Sequence, residues 1–238
     1  MNRKEFAAVA LGAGVGLPLA AVELGRASRH ETTRLPRRPL QVPADGIIRT
    51  AVAIGPGVNV IDLAGPWEVF QDAAVVAGAP GRFELFTVAD DAAPVEASAG
   101  LVVQPTYTYE SAPQPHVVVV PAHQSSERTL HWLRRVRRCA QLVMSVCTGA
   151  FVVAEAGLLD GKSATTHHES YDALAASFPK VRVVRGRRFV EHDHVATAGG
   201  LSSGVDLALR VVERYLGREA ADLTARYMEY ERRAVVGS

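Results

Sequence analysis

Two kinds of apolar pattern alternate along the chain from about residue 47 onward. The first is a short, mainly apolar run: Thr50–Ile54, Phe83–Val88, Leu101–Gln104, Leu142–Val146 and, without interruption, Val117–Val120. Runs of four to six with no polar alternation predict strands covered on both faces, as in a parallel sheet. The second pattern has apolar residues every three or four positions, which predicts a helix with one inward face. Trp67, Phe70, Ala74 and Ala77 form such a stripe, with Pro66 suited to a first helical turn, where its missing N–H is harmless. Leu130, Leu133 and Val136 form another, capped by Ser125 or Ser126 and running through Arg137. A third helix follows Cys147 to about Ala156 and is closed by Gly157; Tyr171–Phe178 and Val205–Leu216 follow later, the last capped by Ser202 or Ser203. Ser163–Thr166, Val181–Val184, Arg188–Val190 and Val195–Thr197 read as short strands. Strands alternating with helices imply right-handed crossovers and a mostly parallel sheet with helices on both faces.

The ends differ from this body. Arg3 and Lys4 precede an apolar, Ala- and Gly-rich run from Phe6 to Val22, the layout of a secretory signal over residues 1–27. Its start, Asn2-Arg3-Lys4-Glu5-Phe6, resembles a twin-arginine leader with Lys in place of the second Arg. Export is therefore expected, with a cytoplasmic protein as the alternative. Gly and Pro18 interrupt the run, so no stable membrane partner is expected. Residues 28–46 hold three prolines, five basic side chains counting His30, and no period; they read as an exposed linker, with the folded domain spanning 47–238.

Composition narrows the class. A 48% hydrophobic chain with only 6% aromatic residues suits an alanine- and valine-rich α/β domain better than an all-β one. A net charge of +1 gives no reason to expect a nucleic-acid partner. Two cysteines make no disulfide framework, which moves attention to their positions. Cys139 ends a basic helix (Arg134, Arg135, Arg137, Arg138) with no special surroundings, and those arginines read as a solvated face. Cys147 stands between a buried strand and a helix, in Ser145-Val146-Cys147-Thr148-Gly149-Ala150-Phe151.

In α/β sheets chemistry gathers at the carboxyl ends of the strands, and a sharp strand-to-helix turn pushes its side chain outward there. The helix N-terminus beside Cys147 is expected to lower its thiol pKa and to offer N–H donors to a developing anion. Thr148 supplies the first of these donors, and Gly149 removes bulk where a substrate approaches. A free cysteine is more often a small buried hydrophobe; the elbow position argues for the nucleophile. Asp62, ahead of Pro66, suits a helix N-cap on local grounds. His167 and His168 on a strand would face opposite sides, with His167 toward the site as a supporting residue. His192-Asp193-His194 reads as a polar hairpin tip rather than a metal site. Gly199-Gly200-Leu201-Ser202-Ser203-Gly204 lacks phosphate-loop spacing and reads as a close-approach loop near the site. No cofactor and no metal are called for.

Five segments together resemble the DJ-1/PfpI superfamily: Ile61-Asp62-Leu63-Ala64-Gly65-Pro66-Trp67-Glu68-Val69-Phe70, Val146-Cys147-Thr148-Gly149-Ala150, Gly157-Leu158-Leu159-Asp160-Gly161-Lys162, Ala164-Thr165-Thr166-His167 and Thr197-Ala198-Gly199-Gly200. The likeness is to its isocyanide hydratase-like branch and to the amidase-like sensor domains of AraC-type regulators. The resemblance implies a flavodoxin-like α/β sandwich, usually a homodimer, with a cysteine in a strained elbow and Asp62 hydrogen-bonded to it. It implies a cofactor-independent enzyme that adds water to a small-molecule isocyanide through Cys147, with Asp62 as acid and base. The alternatives are a ligand-sensing domain without its DNA-binding part, since only about 20 residues follow Leu216, and a redox or stress protein in which Cys147 oxidises. Pro121-Ala122-His123 stands where the family commonly has Pro-Gly-Gly. Ala122 is expected to keep an N–H for the oxyanion, and His123 to bring a titratable ring near the sulfur. His168 stands where the hydratase-like branch tends to have a bulky aromatic.

Overall fold

The computed structural model describes residues 39–79 and 81–232. The leader at 1–27 and the linker through residue 38 lie outside the described residues. The core is a seven-stranded sheet. Its strands are β1 (Ile48–Ala53), β2 (Phe83–Ala89), β5 (Tyr107–Thr108), β6 (Val117–Val120), β7 (Leu142–Ser145), β10 (Phe189–Glu191) and β11 (Val195–Ala198), in the order β10-β11-β7-β6-β1-β2-β5. All neighbours are parallel except the β10–β11 hairpin at one edge. Two small ribbons, β3 (Val95–Glu96) with β4 (Val102–Val103) and β8 (Ser163–Ala164) with β9 (Arg182–Val183), stand apart from it. This is the mostly parallel sheet with helices on both faces that the alternation predicts, and the flavodoxin-like sandwich that the family resemblance implies.

Strand side chains alternate between two helical layers. Val117 and Val119 of β6, with Leu142 and Met144 of β7, face α1 (Val60–Val76), α5 (Ser203–Leu216) and α6 (Arg218–Tyr227). Val118, Val120 and Val143 face α2 (Glu127–Val136), α3 (Gly149–Glu155) and α4 (Tyr171–Ser177). The four valines of β6 are buried, which is why this strand reads as an unbroken apolar run.

Three details differ from the sequence reading. Pro66 is the seventh residue of α1 rather than in its first turn, because Asn59 caps the helix: its side chain accepts from the Ile61 and Asp62 N–H groups. Pro66 has no N–H to offer the Asp62 carbonyl one turn back. In exchange it is a buried surface without bulk. A side-chain carbon at Gly65 would lie 3.1 Å from Val205, and one at Gly204 would lie 3.4 Å from Pro66 and 3.0 Å from Val146. The Gly-Pro pair thus lets α1 close on the start of α5, and Gly204 lets α5 in turn approach Val146 at the end of β7. Second, α6 continues the fold beyond Leu216, where no element was expected; Ala221 and Ala225 are buried in the core. Third, residues 39–46 lie on the body rather than forming exposed linker. Leu40 is buried, its N–H donates to the Arg214 carbonyl (2.9 Å), and the Gln41 backbone and the Gln141 side-chain amide bond one another twice, at 2.8 and 2.7 Å.

Among the described residues no helix is long and apolar enough to cross a membrane, and no three His, Cys, Asp or Glu side chains are grouped to hold a metal ion. His192 to His194 form the tip of the β10–β11 hairpin.

Candidate active site

The strand order puts β6 between β7 and β1, so the loops that follow these three strands meet at the carboxyl edge of the sheet. The loop after β11 closes the group. Cys147 belongs to the first loop, Asp62 to the helix after β1, Ala122 to the loop after β6, and Leu201 to the last.

Cys147 has φ of 58°, a left-handed conformation that costs a side-chain-bearing residue about 1–2 kcal/mol. Hydrogen bonds on both sides hold it there. Its N–H donates to the Gly199 carbonyl (2.8 Å), and its own carbonyl accepts from the Thr166 hydroxyl (2.9 Å). Thr148 then caps α3 with αR backbone. Gly149 has a role other than the expected one: a side-chain carbon there would sit 2.1 Å from the Val120 carbonyl oxygen and 2.8 Å from that of Pro121. Its bareness lets the elbow press against the end of β6; it does not open a path for substrate.

Asp62 is fully buried. Because Asn59 does the capping, the Asp62 carboxyl is free to turn inward. Oδ2 accepts from the Ala122 N–H (3.3 Å), while Oδ1 is buried without a well-aligned donor. The Ala122 carbonyl in turn accepts from the Asn59 N–H (2.9 Å), so the loops after β1 and β6 are tied in both directions. The Ala122 N–H, expected to serve an oxyanion, is therefore occupied by Asp62.

The thiol and the carboxyl are close enough for each to shift the other. Burial pushes Asp62 up to about 6, offset by the hydrogen bond from the Ala122 N–H and by the nearby Cys147 thiol and Leu201 N–H. Burial also pushes the Cys147 thiol up, to about 11, and the Asp62 charge adds to it; the Thr148 and Leu201 N–H groups pull the other way. This overturns the expectation of a lowered thiol pKa. The Thr148 N–H at the head of a seven-residue helix and the Leu201 N–H from the loop after β11 do not outweigh desolvation beside a carboxylate. At neutral pH the resting pair is a protonated thiol beside a carboxylate, and the two groups titrate as a coupled pair.

The histidines fall differently from expectation. His123 turns away from the sulfur: Nδ1 lies 2.9 Å from the Pro121 carbonyl and the ring packs on Gly55. His167 and His168 do not face opposite ways. They precede and open a single 3-10 turn (His168–Ser170), and their rings lie together with centroids 4.4 Å apart. His167 also packs on Gly200, where a side-chain carbon would come within 2.3 Å of its ring. That places it behind the loop carrying Leu201. Two contributors went unread. Leu201 reaches both Asp62 and Cys147 through its backbone N–H, and Thr166 holds the Cys147 carbonyl. Only the Gly-Gly before Leu201 and the Thr-Thr before His167 hinted at them.

A mostly parallel α/β sandwich carrying a cysteine at a strand-to-helix elbow, with a carboxyl from the helix after β1 set near its sulfur, defines a class of proteins. Residues 48–214 match the DJ-1/PfpI family, and the chain belongs to it. It is 35% identical to an isonitrile hydratase of Pseudomonas putida over 184 residues, covering 74% of this chain and 75% of that one. It is 32% identical over 136 residues to the HTH-type transcriptional regulator CdhR of Pseudomonas aeruginosa, of which the match spans only 40%. Among solved structures, a THiJ/PfpI family protein from Pseudomonas syringae superposes with a TM-score of 0.70 at 26% identity, covering 91% of this chain and 84% of that one. Drosophila melanogaster DJ-1beta superposes at 0.67 with 17% identity, over 78% of this chain and 99% of that one, a likeness of fold.

Proposed function

We propose that the protein is a cofactor-independent hydratase that converts isocyanides to N-substituted formamides, with Cys147 as nucleophile and Asp62 as the proton carrier. The observation that carries this reading is the buried Cys147–Asp62 pair, with the Leu201 N–H near enough to lower the pKa of both groups. The similarity to an isonitrile hydratase over three quarters of both chains supports the substrate.

The resting thiol is protonated, so the chemistry starts with proton transfer. As Sγ bonds to the terminal carbon of R–N≡C, the Asp62 carboxylate takes the thiol proton and passes it to that carbon. The product is a thioimidate, Cys147–S–CH=N–R. Water then adds to the same carbon; the C–S bond breaks, the sulfur recovers a proton through Asp62, and R–NH–CHO leaves. The water oxygen ends in the formamide, one of its protons replaces the thiol proton that went to carbon, and the enzyme returns to its starting state. An acid near 6 is poised for both directions of transfer at neutral pH. Purified protein incubated with an aryl isocyanide is expected to form the formamide, and Cys147→Ala to abolish it. Wild type no faster than Cys147→Ala would end the hydratase assignment.

A second reading is a ligand-sensing domain. It is favoured by the similarity to transcriptional regulators and by a thiol that burial holds protonated. The same two proteins separate the readings: a sensor would show ligand-induced thermal stabilisation, without turnover, that survives Cys147→Ala. Oxidation at Cys147 is disfavoured by the same protonated, 7%-exposed sulfur.

A further inference from the structure

We propose that His123 is a positioning residue for Asp62: its side chain clamps the turn that aims the Ala122 N–H at the carboxylate. The proposal rests on the Asp62–Cys147 pair being the working site, though not on its substrate.

The geometry runs through three short links. A carbonyl oxygen can only accept, so the 2.9 Å contact between His123 Nδ1 and the Pro121 carbonyl fixes the tautomer with hydrogen on Nδ1. This bond spans two residues and closes a ring around Ala122. It therefore restrains the ψ of Pro121, both torsions of Ala122, and with them the direction of the Ala122 N–H. That N–H is the donor to Asp62 Oδ2 at 3.3 Å. The Ala122 carbonyl is held from the other side by the Asn59 N–H at 2.9 Å, so the peptide on each side of Ala122 is fixed.

The clamp is seated in a prepared space. The His123 ring lies against Gly55, where a side-chain carbon would meet the ring at 2.8 Å and the Gln124 carbonyl oxygen at 2.7 Å. The Gln124 N–H donates to the Pro56 carbonyl (3.1 Å), fastening the far end of the turn to the loop after β1. Nε2 is buried and meets no partner, so the imidazole is held by the single Nδ1 bond and by packing. Burial lowers its pKa, against the Pro121 bond and the more distant charge of Asp90. The ring is thus neutral in the working range and adds no charge to the site. A glycine in this place would leave the turn free; a histidine closes it with its own side chain.

The test is the titration of Asp62 itself, followed by 13C NMR of the full chain labelled at aspartate carboxyl carbons, with Asp62→Asn assigning the signal. It needs no substrate, so it fails or succeeds separately from the hydratase assay. Losing the Ala122 hydrogen bond removes an interaction that favours the carboxylate, so His123→Ala is expected to raise the Asp62 midpoint by roughly half a unit to one unit. His123→Asn, whose Nδ2 can reach the Pro121 carbonyl as the imidazole Nδ1 does, is expected to bring it back toward wild type. A folded His123→Ala protein with an unmoved Asp62 midpoint would overturn the proposal, as would His123→Asn shifting it as far as alanine. Should His123→Ala not fold, His123→Leu fills the space against Gly55 without supplying the Nδ1 donor. An upward shift there supports the clamp, and an unchanged midpoint rejects it.

Discussion

Asp62 illustrates how one side chain can be a burden to the fold and an asset to the site. The unfolded chain ionises it near 3.8, whereas burial in the folded protein delays ionisation to about 6. Between these values the folded state holds a proton that the unfolded state has lost, so stability falls as pH rises through that window. The displacement corresponds to at most about 3 kcal/mol, fully felt above pH 7. Asp62→Asn keeps the size and polarity of the group and removes its charge. It is expected to be more stable than wild type by up to about 3 kcal/mol at pH 8, the gain shrinking steadily toward pH 4. Urea unfolding of both proteins across that range measures it; a gain that does not change with pH would mean that charge burial is not its source. The same substitution should abolish proton transfer, which makes the cost of burial a cost of the proposed chemistry.

At the scale of elements, the edge hairpin is fastened to the helix that reaches the site. Glu191 of β10 has no exposed side-chain surface and bridges Arg210 (3.1 Å) and Arg214 (2.7 Å) of α5. The Arg188 side chain, one residue before β10, pairs with Asp206 and reaches Ser202, at the head of the same helix. The 199–202 loop that delivers the Leu201 N–H is thereby held between hairpin and helix. Glu191→Gln leaves two arginines facing a neutral amide inside the protein, and breaking a buried pair typically costs about 3–5 kcal/mol. Glu213→Gln, on the same arginine but partly exposed, should cost less than about 1 kcal/mol. Thermal melts of the two variants side by side decide it; equal losses would show that burial does not set the strength of this cluster. None of this network was legible beforehand, because Glu191, Arg210 and Arg214 look like surface charges on a short strand and an amphipathic helix. What was legible followed from strict local patterns: the continuous valines of β6, the apolar run of β7, the Ser126 cap of α2, and the elbow at Cys147. Pro66 misled because its local preference for a first turn yields to the stronger cap at Asn59, and to packing of Gly65–Pro66 on α5.

For the molecule as a whole, the site exists only because β1, distant in the chain, lies beside β6 and β7. Periodicity could suggest each strand but not that β6 would sit between β1 and β7, and it was the family resemblance that joined Asp62 to Cys147. The direction of the thiol pKa was misjudged for the same reason: a helix terminus is visible in sequence, whereas burial beside a carboxylate is a tertiary outcome. The N-terminal boundary repeats this lesson. Residues 39–46 have a linker's composition, with two prolines and no period, yet they lie across the amino end of the sheet. Leu40 enters the core packed by β1, α1 and α5, its N–H bonds the Arg214 carbonyl, and Gln41 exchanges two hydrogen bonds with Gln141 just before β7. Burying a leucine contributes about 1.5–3 kcal/mol, and each hydrogen bond about 0.5–1.5 kcal/mol, less the entropy of ordering the strap. A chain beginning at Ile47 is therefore expected to be roughly 2–4 kcal/mol less stable than one beginning at Pro39. Denaturant midpoints of the two chains, at matched slopes, measure the difference. A chain starting at Pro39 and carrying Leu40→Ala should reproduce most of the loss if the leucine is the anchor, and little of it if the Gln41–Gln141 pair is. Coincident midpoints for all three would mean that the strap rests on the body without holding it.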